Sequence, residues 1–158
     1  EEEEEEDDGS QSTTVVVSYS GGSKSLPATG TSGELVTTSD TAPTGTILDV
    51  NVTIDLDHSC TKDLTGILES PNGTKVVLFD MGGLVVCSSD MENTTLDDEA
   101  STKITNGKSP FKGSYKPTGS LARFDGEDAA GVWTLRMIDD TIGDSGKLRS
   151  WSVEIVLK

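Results

Sequence analysis

The stretch Gly131 to Ile155, GVWTLRMIDDTIGDSGKLRSWSVEI, decides the fold. Trp133, Leu135 and Met137 alternate with Thr134, Arg136 and Ile138, and Trp151, Val153, Ile155 and Leu157 alternate again. A period of two residues places one set of side chains on a buried face, so each run reads as a strand. Between them, DDTIGDSG carries two glycines and three aspartates, which is the composition of a loop. Each run holds one of the chain's two tryptophans on its apolar set. In a chain with so few aromatics, Trp133 and Trp151 are expected to anchor the core.

The same period recurs further upstream. Val50, Val52, Ile54 and Leu56 alternate with Asn51, Thr53, Asp55 and Asp57. Ser70-Pro71-Asn72-Gly73-Thr74 supplies a hairpin turn, because Asn-Gly tolerates positive φ, and Lys75 to Phe79 reads as the return strand. Thr14 to Tyr19, Glu34 to Thr38 and Thr46 to Leu56 read as earlier strands, with GGSKSLPATGTSG between the first two as loop. LPATG at Leu26 to Gly30 matches a sortase anchoring pattern, but no hydrophobic tail and basic end follow it, so it too reads as loop. No segment keeps a helical period over three turns. Short strands separated by turn signals every ten or so residues define an all-β antiparallel sandwich.

These stretches also resemble a known family. Gly131, Trp133, Leu135, Asp139, Gly146, Leu148, Trp151 and Ser152 are similar to the closing strands of the P domain, also called the P/Homo B domain. That module follows the catalytic domain in proprotein convertases and in many bacterial subtilisin-like proteases. Val50 to Leu78 resembles its strand, His-centred turn, Asp-Leu, strand and S-P-x-G-T hairpin, and Phe111 to Phe124 resembles its F-x-G-x-Y-x-P-x-x-x-L segment. The matches run in order over roughly residues 45 to 157. The resemblance implies a jelly-roll, galactose-binding-like β-sandwich over residues 14–158, preceded by an acidic disordered tail or linker over residues 1–13.

Length and charge bound the remaining choices. A chain of 158 residues suits one domain with a real core. Its net charge of −16 is inflated by Glu1 to Asp8, eight consecutive acids, without which it stands at −8. Such a run repels itself and stays solvated; a weak calcium sponge is the alternative. No basic patch exists to neutralise phosphates, so nucleic acid is not an expected partner. No apolar run is long enough for a membrane span, and an opening on EEEEEE without Met reads as a mature or excised piece rather than a whole gene product. Two cysteines, Cys60 and Cys87, point to one disulfide in an extracellular domain, worth roughly 3 kcal/mol by chain entropy; two buried thiols are the alternative. Asn51, Asn72 and Asn93 head three glycosylation sequons, which a Thr-rich chain also produces by chance.

His58 in DHSC and Ser145 in GDSG superficially suggest a serine protease. One domain is too little for the two barrels that a trypsin-like cleft needs, Lys147 stands where that family has glycine, and no second histidine or zinc set is present. The domain is therefore expected to be non-catalytic, with His58 structural. The acids offer another chemistry, since calcium takes six to eight oxygens from carboxylates and loop carbonyls. Asp80, Asp90, Glu92, Asp97, Asp98 and Glu99 crowd one region, and Asp63, Asp139, Asp140 and Asp144 lie at strand ends or in the closing loop. A solvated acidic surface is the plain reading, and the resemblance favours calcium. One site is expected from Asp80, Asp97 and Asp98, and a second from Asp63 and Asp139, although Asp63 could instead accept backbone N–H bonds at its strand start. The resemblance further implies an accessory domain of a secreted subtilisin-like serine protease, docked on that catalytic domain. The alternative is a carbohydrate- or protein-binding jelly-roll module, for which Tyr19, Tyr115 and Phe111 are the candidate exposed stacking platforms.

Overall fold

A computed structural model describes residues 11–26, 33–82, 87–141 and 145–158. The acidic run Glu1 to Asp8, most of LPATG, and Asp144 with its neighbours in the closing loop lie outside the described residues. Ten strands run in order among the described residues: β1 (Thr13–Ser18), β2 (Lys24–Leu26), β3 (Gly33–Ala42), β4 (Ile47–His58), β5 (Leu64–Glu69), β6 (Lys75–Asp80), β7 (Met91–Leu96), β8 (Gly113–Tyr115), β9 (Gly131–Asp139) and β10 (Gly146–Leu157). Among the described residues the helical content is three single 3-10 turns, at Thr61–Asp63, Ile104–Asn106 and Leu121–Phe124.

The strands form two sheets, β1-β10-β4-β7-β8 with β2 also on β10, and β3-β9-β5-β6. Every pairing is antiparallel except β7 with β8. This is the expected jelly-roll sandwich. The two strands of the opening stretch each lie inside a different sheet: β9 is flanked by β3 and β5, and β10 by β1, β2 and β4. GGSKSLPATGTSG is not wholly loop, since Lys24–Leu26 pairs with Gly146–Leu148. Three residues are too few to show a period, so that strand leaves no trace in the text.

Alternation predicts burial along the long strands. Val50, Val52, Ile54 and Leu56 meet Trp133, Leu135, Met137, Val153 and Ile155 between the sheets, all buried. Trp133 sits edge-on to Phe124 at 5.1 Å between ring centroids. Trp151 stacks on Tyr19 at 6.4 Å, and its indole N–H donates to the Thr37 hydroxyl at 2.8 Å. A buried indole donor needs such an acceptor, so Thr37 is fixed in the core by its partner rather than by its own hydropathy.

Two glycines of the opening stretch have steric causes. A Cβ on Gly146 would lie 2.1 Å from the Asp57 carbonyl oxygen and 2.8 Å from the His58 ring. Gly131 holds φ +124°, where a side chain is strained and would meet Pro71 at 2.8 Å. Phe111, expected to be exposed, is fully buried, and Tyr19 and Tyr115 are half-buried against the core. The candidate stacking platforms are therefore core or core-flanking rings. Phe111 turns inward because it takes φ +56° and packs edge-on to Tyr115 at 6.2 Å.

Candidate functional site

The register puts the ends of β4, β9, the start of β5 and the end of β6 together at one end of the sandwich. His58 closes β4 in the first sheet, and Asp139 closes β9 in the second. Their side chains are completely buried and meet at 2.8 Å, Nε2 to Oδ2. The other ring nitrogen, Nδ1, lies 3.0 Å from the Cys60 backbone nitrogen. An amide N–H can only donate, so Nδ1 accepts and the ring proton sits on Nε2, aimed at the carboxylate. Both nitrogens are thereby committed, and Ser145 meets this turn at Ser59: its N–H donates to the Ser59 hydroxyl at 3.3 Å, and its carbonyl accepts the Ser59 N–H at 3.2 Å.

Around this pair the chain is stapled. Cys60 and Cys87 form a disulfide, as the cysteine count anticipated. The Ser88 carbonyl accepts both the N–H and the hydroxyl of Thr61, at 2.7 and 2.9 Å. Asp90, at φ +59°, accepts the His58 N–H on its carboxylate at 2.9 Å and donates its own N–H to the His58 carbonyl at 3.2 Å. Asp63 lies at the same end, where its carbonyl accepts the Asp140 N–H at 3.4 Å. Asp80 is there too, exposed, accepting the Gly82 N–H at 3.2 Å.

Asp97 and Asp98 stand at the opposite end, beyond β7, so the structure does not bring them together with Asp80. The Asp97 carboxylate accepts the Glu99 N–H at 2.7 Å. Asp98 caps the 3-10 turn Leu121–Phe124 from a distance, accepting the N–H groups of Leu121 at 3.0 Å and Ala122 at 2.9 Å and the Ser120 hydroxyl at 2.9 Å. The burial of Asp125 and the nearby charges of Asp49 and Asp98 hold its carboxyl above the usual range. Glu99 is likewise raised, first by its hydrogen bond with Asp97, then by partial burial and Asp49. Asp128 moves the other way, lowered by the N–H groups of Ala130 and Gly45 and the Thr44 hydroxyl. Among the described residues no three His, Cys, Asp or Glu side chains converge as a metal ligand set. The five carboxylates expected for calcium thus divide into a buried hydrogen-bond acceptor (Asp139), a cap (Asp98) and turn or strand-end groups (Asp63, Asp80, Asp97).

The outer faces of the two sheets differ. Outside the first, β4 and β10 display Asp49, Asn51, Thr53, Asp55, Asp57, Ser152, Glu154 and Val156, with Arg149 paired to Asp55 at 3.6 Å and to Asp57, and Val16 of β1 beside Glu154 is 58% exposed. Outside the second, Val36, Arg136, Ile67 and Val77 form a row across β3, β9, β5 and β6, with Ile138 and Val132 along β9. Arg136 is balanced there by Glu34 at 3.1 Å and Glu69 at 3.0 Å. Val36, on the edge strand β3, and Val132, near the start of β9, are each 46% exposed. Period-two reading identified the strands but looked only for the buried set, so this second, outward set was missed.

The fold is a two-sheet jelly-roll sandwich whose single histidine is paired with Asp139 between the sheets. The chain belongs to the proprotein convertase P-domain family, whose sequence model matches residues 47–155, more than half of it. Among solved structures it is similar to the serine protease of Aeromonas sobria in complex with its chaperone, at 20% identity and a TM-score of 0.51. That match covers 93% of this chain and 26% of the protease chain. The same protease without the chaperone is similar at 19% identity and a TM-score of 0.48, covering 92% of this chain and 27% of the other. This chain therefore spans about a quarter of those proteins. No curated protein matches it.

Proposed function

We propose that this domain is an accessory module of a secreted subtilisin-like serine protease, and that it stabilises the catalytic domain by docking on it through the outer face of the β3-β9-β5-β6 sheet. The asymmetry of the two outer faces carries this reading. A chain of net charge −16 keeps an excess of carboxylates on one face, while the other pairs its arginine with Glu34 and Glu69 beside a row of apolar side chains. An apolar sheet face with its arginine already neutralised can be buried without stranding a charge, whereas the acidic face cannot. Family membership supports the occupant, a subtilisin-like catalytic domain, and the disulfide is in keeping with an oxidising, extracellular setting. No helix among the described residues is long and apolar enough to cross a membrane.

The test is co-expression with a subtilisin-like catalytic domain. Val36→Glu with Val132→Glu should abolish co-purification and lower the thermal stability of the catalytic partner, while the melt of the isolated accessory domain stays close to the parent's. Undiminished association would refute the docking face; loss of association on mutating the acidic face instead would transfer it there.

Calcium belongs to this proposal only as a counter-ion at the crowded end near Asp49, Asp97, Glu99 and Asp125, because the expected carboxylates do not assemble into a ligand set. A cation held by the native state alone raises its stability by RT ln(1 + [L]/Kd). Melting the domain in calcium and then in excess chelator reads this directly. An unchanged midpoint would remove calcium from the account and leave the docking reading standing.

A further inference from the structure

Two lysines stand together on the surface of this acidic chain. Lys103 and Lys116 form an isolated parallel backbone bridge, with the Ile104 N–H donating to the Lys116 carbonyl at 3.0 Å and the Lys116 N–H to the Thr102 carbonyl at 2.7 Å. These bonds pin two lysines side by side. Among the described residues neither ammonium lies within ion-pair distance of a carboxylate. Asp98 is the acid nearest in the lining, and its oxygens are taken by Ser120, Leu121 and Ala122. Adjacent like charges without a counter-charge are destabilising, and an anion between them would offset that repulsion.

The lysines flank a groove of about 190 Å³ lined also by Ile104, Thr105, Pro117 and Thr118. Lys103, Lys116 and Thr118 are its exposed walls, with Ile104 and Pro117 buried beneath them. A carboxylate on a short aliphatic stem can lie between two ammonium groups and two hydroxyls with its methylenes along the lysine stems, which a bare inorganic anion would leave unused.

We infer that the groove between Lys103 and Lys116 binds acidic peptide, taking a glutamate side chain between the two lysines. The site stands independently of the protease reading, since it uses neither the apolar sheet face nor the His58 end.

The experiment is fluorescence anisotropy with a labelled hexaglutamate peptide, on the full chain and on a version with Glu1 to Asp8 replaced by Gly-Ser. The expected result is binding that weakens with salt and falls about tenfold in Lys103→Gln with Lys116→Gln, the order expected for losing two exposed charge pairs. Lys75→Gln with Lys147→Gln should leave it unchanged. Binding seen only after the acidic run is replaced also supports the groove, with that run as the competing carboxylate source. The inference fails if neither version binds, if the Lys103/Lys116 variant binds as well as the parent, or if sulfate at matched ionic strength displaces the peptide completely. A sulfated oligosaccharide held more tightly by the same lysines would overturn the peptide assignment in favour of a glycan.

Discussion

The two ends of the sandwich are built from similar numbers of carboxylates and treat them in opposite ways. At the His58 end, Asp139 is fully buried, but it faces the one imidazole proton of the chain at 2.8 Å, and a disulfide and four hydrogen bonds close the surrounding loops. At the Asp97 end, Asp49, Asp97, Asp98, Glu99 and Asp125 meet backbone N–H groups, a hydroxyl and one another, and two of them are raised as a result. Burial forces pairing, because an unpaired charge in the interior costs several kcal/mol, while an exposed cluster is held tolerable by solvent. Negative charge therefore buys stability at the first end and opposes it at the second.

Four variants probe that contrast. The largest effect belongs to His58→Ala, which leaves the Asp139 carboxylate buried without its donor. Chemical denaturation should show a loss of about 3–5 kcal/mol, and a loss under 1 kcal/mol would mean the pair is not the clamp between sheets. Cys60→Ser with Cys87→Ser should cost about 3 kcal/mol by freeing the loop they close in the unfolded chain. At the opposite end, Asp98→Ala removes a cap, and a loss of about 1–2 kcal/mol is expected in the same assay.

The smallest change has the reverse sign. The Asp125 carboxyl is raised in the fold, so its protonated form is favoured there and its contribution fades as pH rises through the raised value. Asp125→Asn should accordingly gain on the parent at neutral pH, by a few tenths of a kcal/mol after solvent screening, and lose that gain below the usual carboxylate range. Asp128, lowered by its N–H partners, contributes above that range and loses its contribution as pH falls through its lowered value. Melts across pH 3 to 7 would separate the two, and a destabilised Asp125→Asn at neutral pH would end the crowding argument.

Strands were legible wherever one face is buried for several residues, because alternation then has room to repeat. Val50 to Leu56, Trp133 to Met137 and Trp151 to Leu157 are such runs, and all three fold as read. Lys24–Leu26 and Gly113–Tyr115 are three-residue strands held by their partners, and nothing local marks them. The aspartates were legible as acids and as loop residues, but not by destination. Asp80 and Asp98 lie 18 positions apart in sequence, yet one ends a strand of the second sheet and the other follows a strand of the first, running the opposite way. Sequence nearness fails as a guide in a sandwich for that reason. The disulfide was readable from count and compartment, whereas the partner of His58 lies 81 residues away and is visible only once β9 is placed beside β5.

The position of β9 and β10 also governs how the domain can form. Each is an interior strand of its sheet, and together they supply the pairing surface for β1, β2, β3, β4 and β5. Until residues 131–157 join, β3 has no strand partner and β4 has only β7. Pairing across so much intervening chain makes closure of both sheets a late, shared event, and topologies of this kind fold over milliseconds to seconds rather than microseconds. The strands that come last in this domain's chain order are thus the ones that complete its fold, and a domain shortened before Gly131 would hold exposed strand edges with nothing left to cover them.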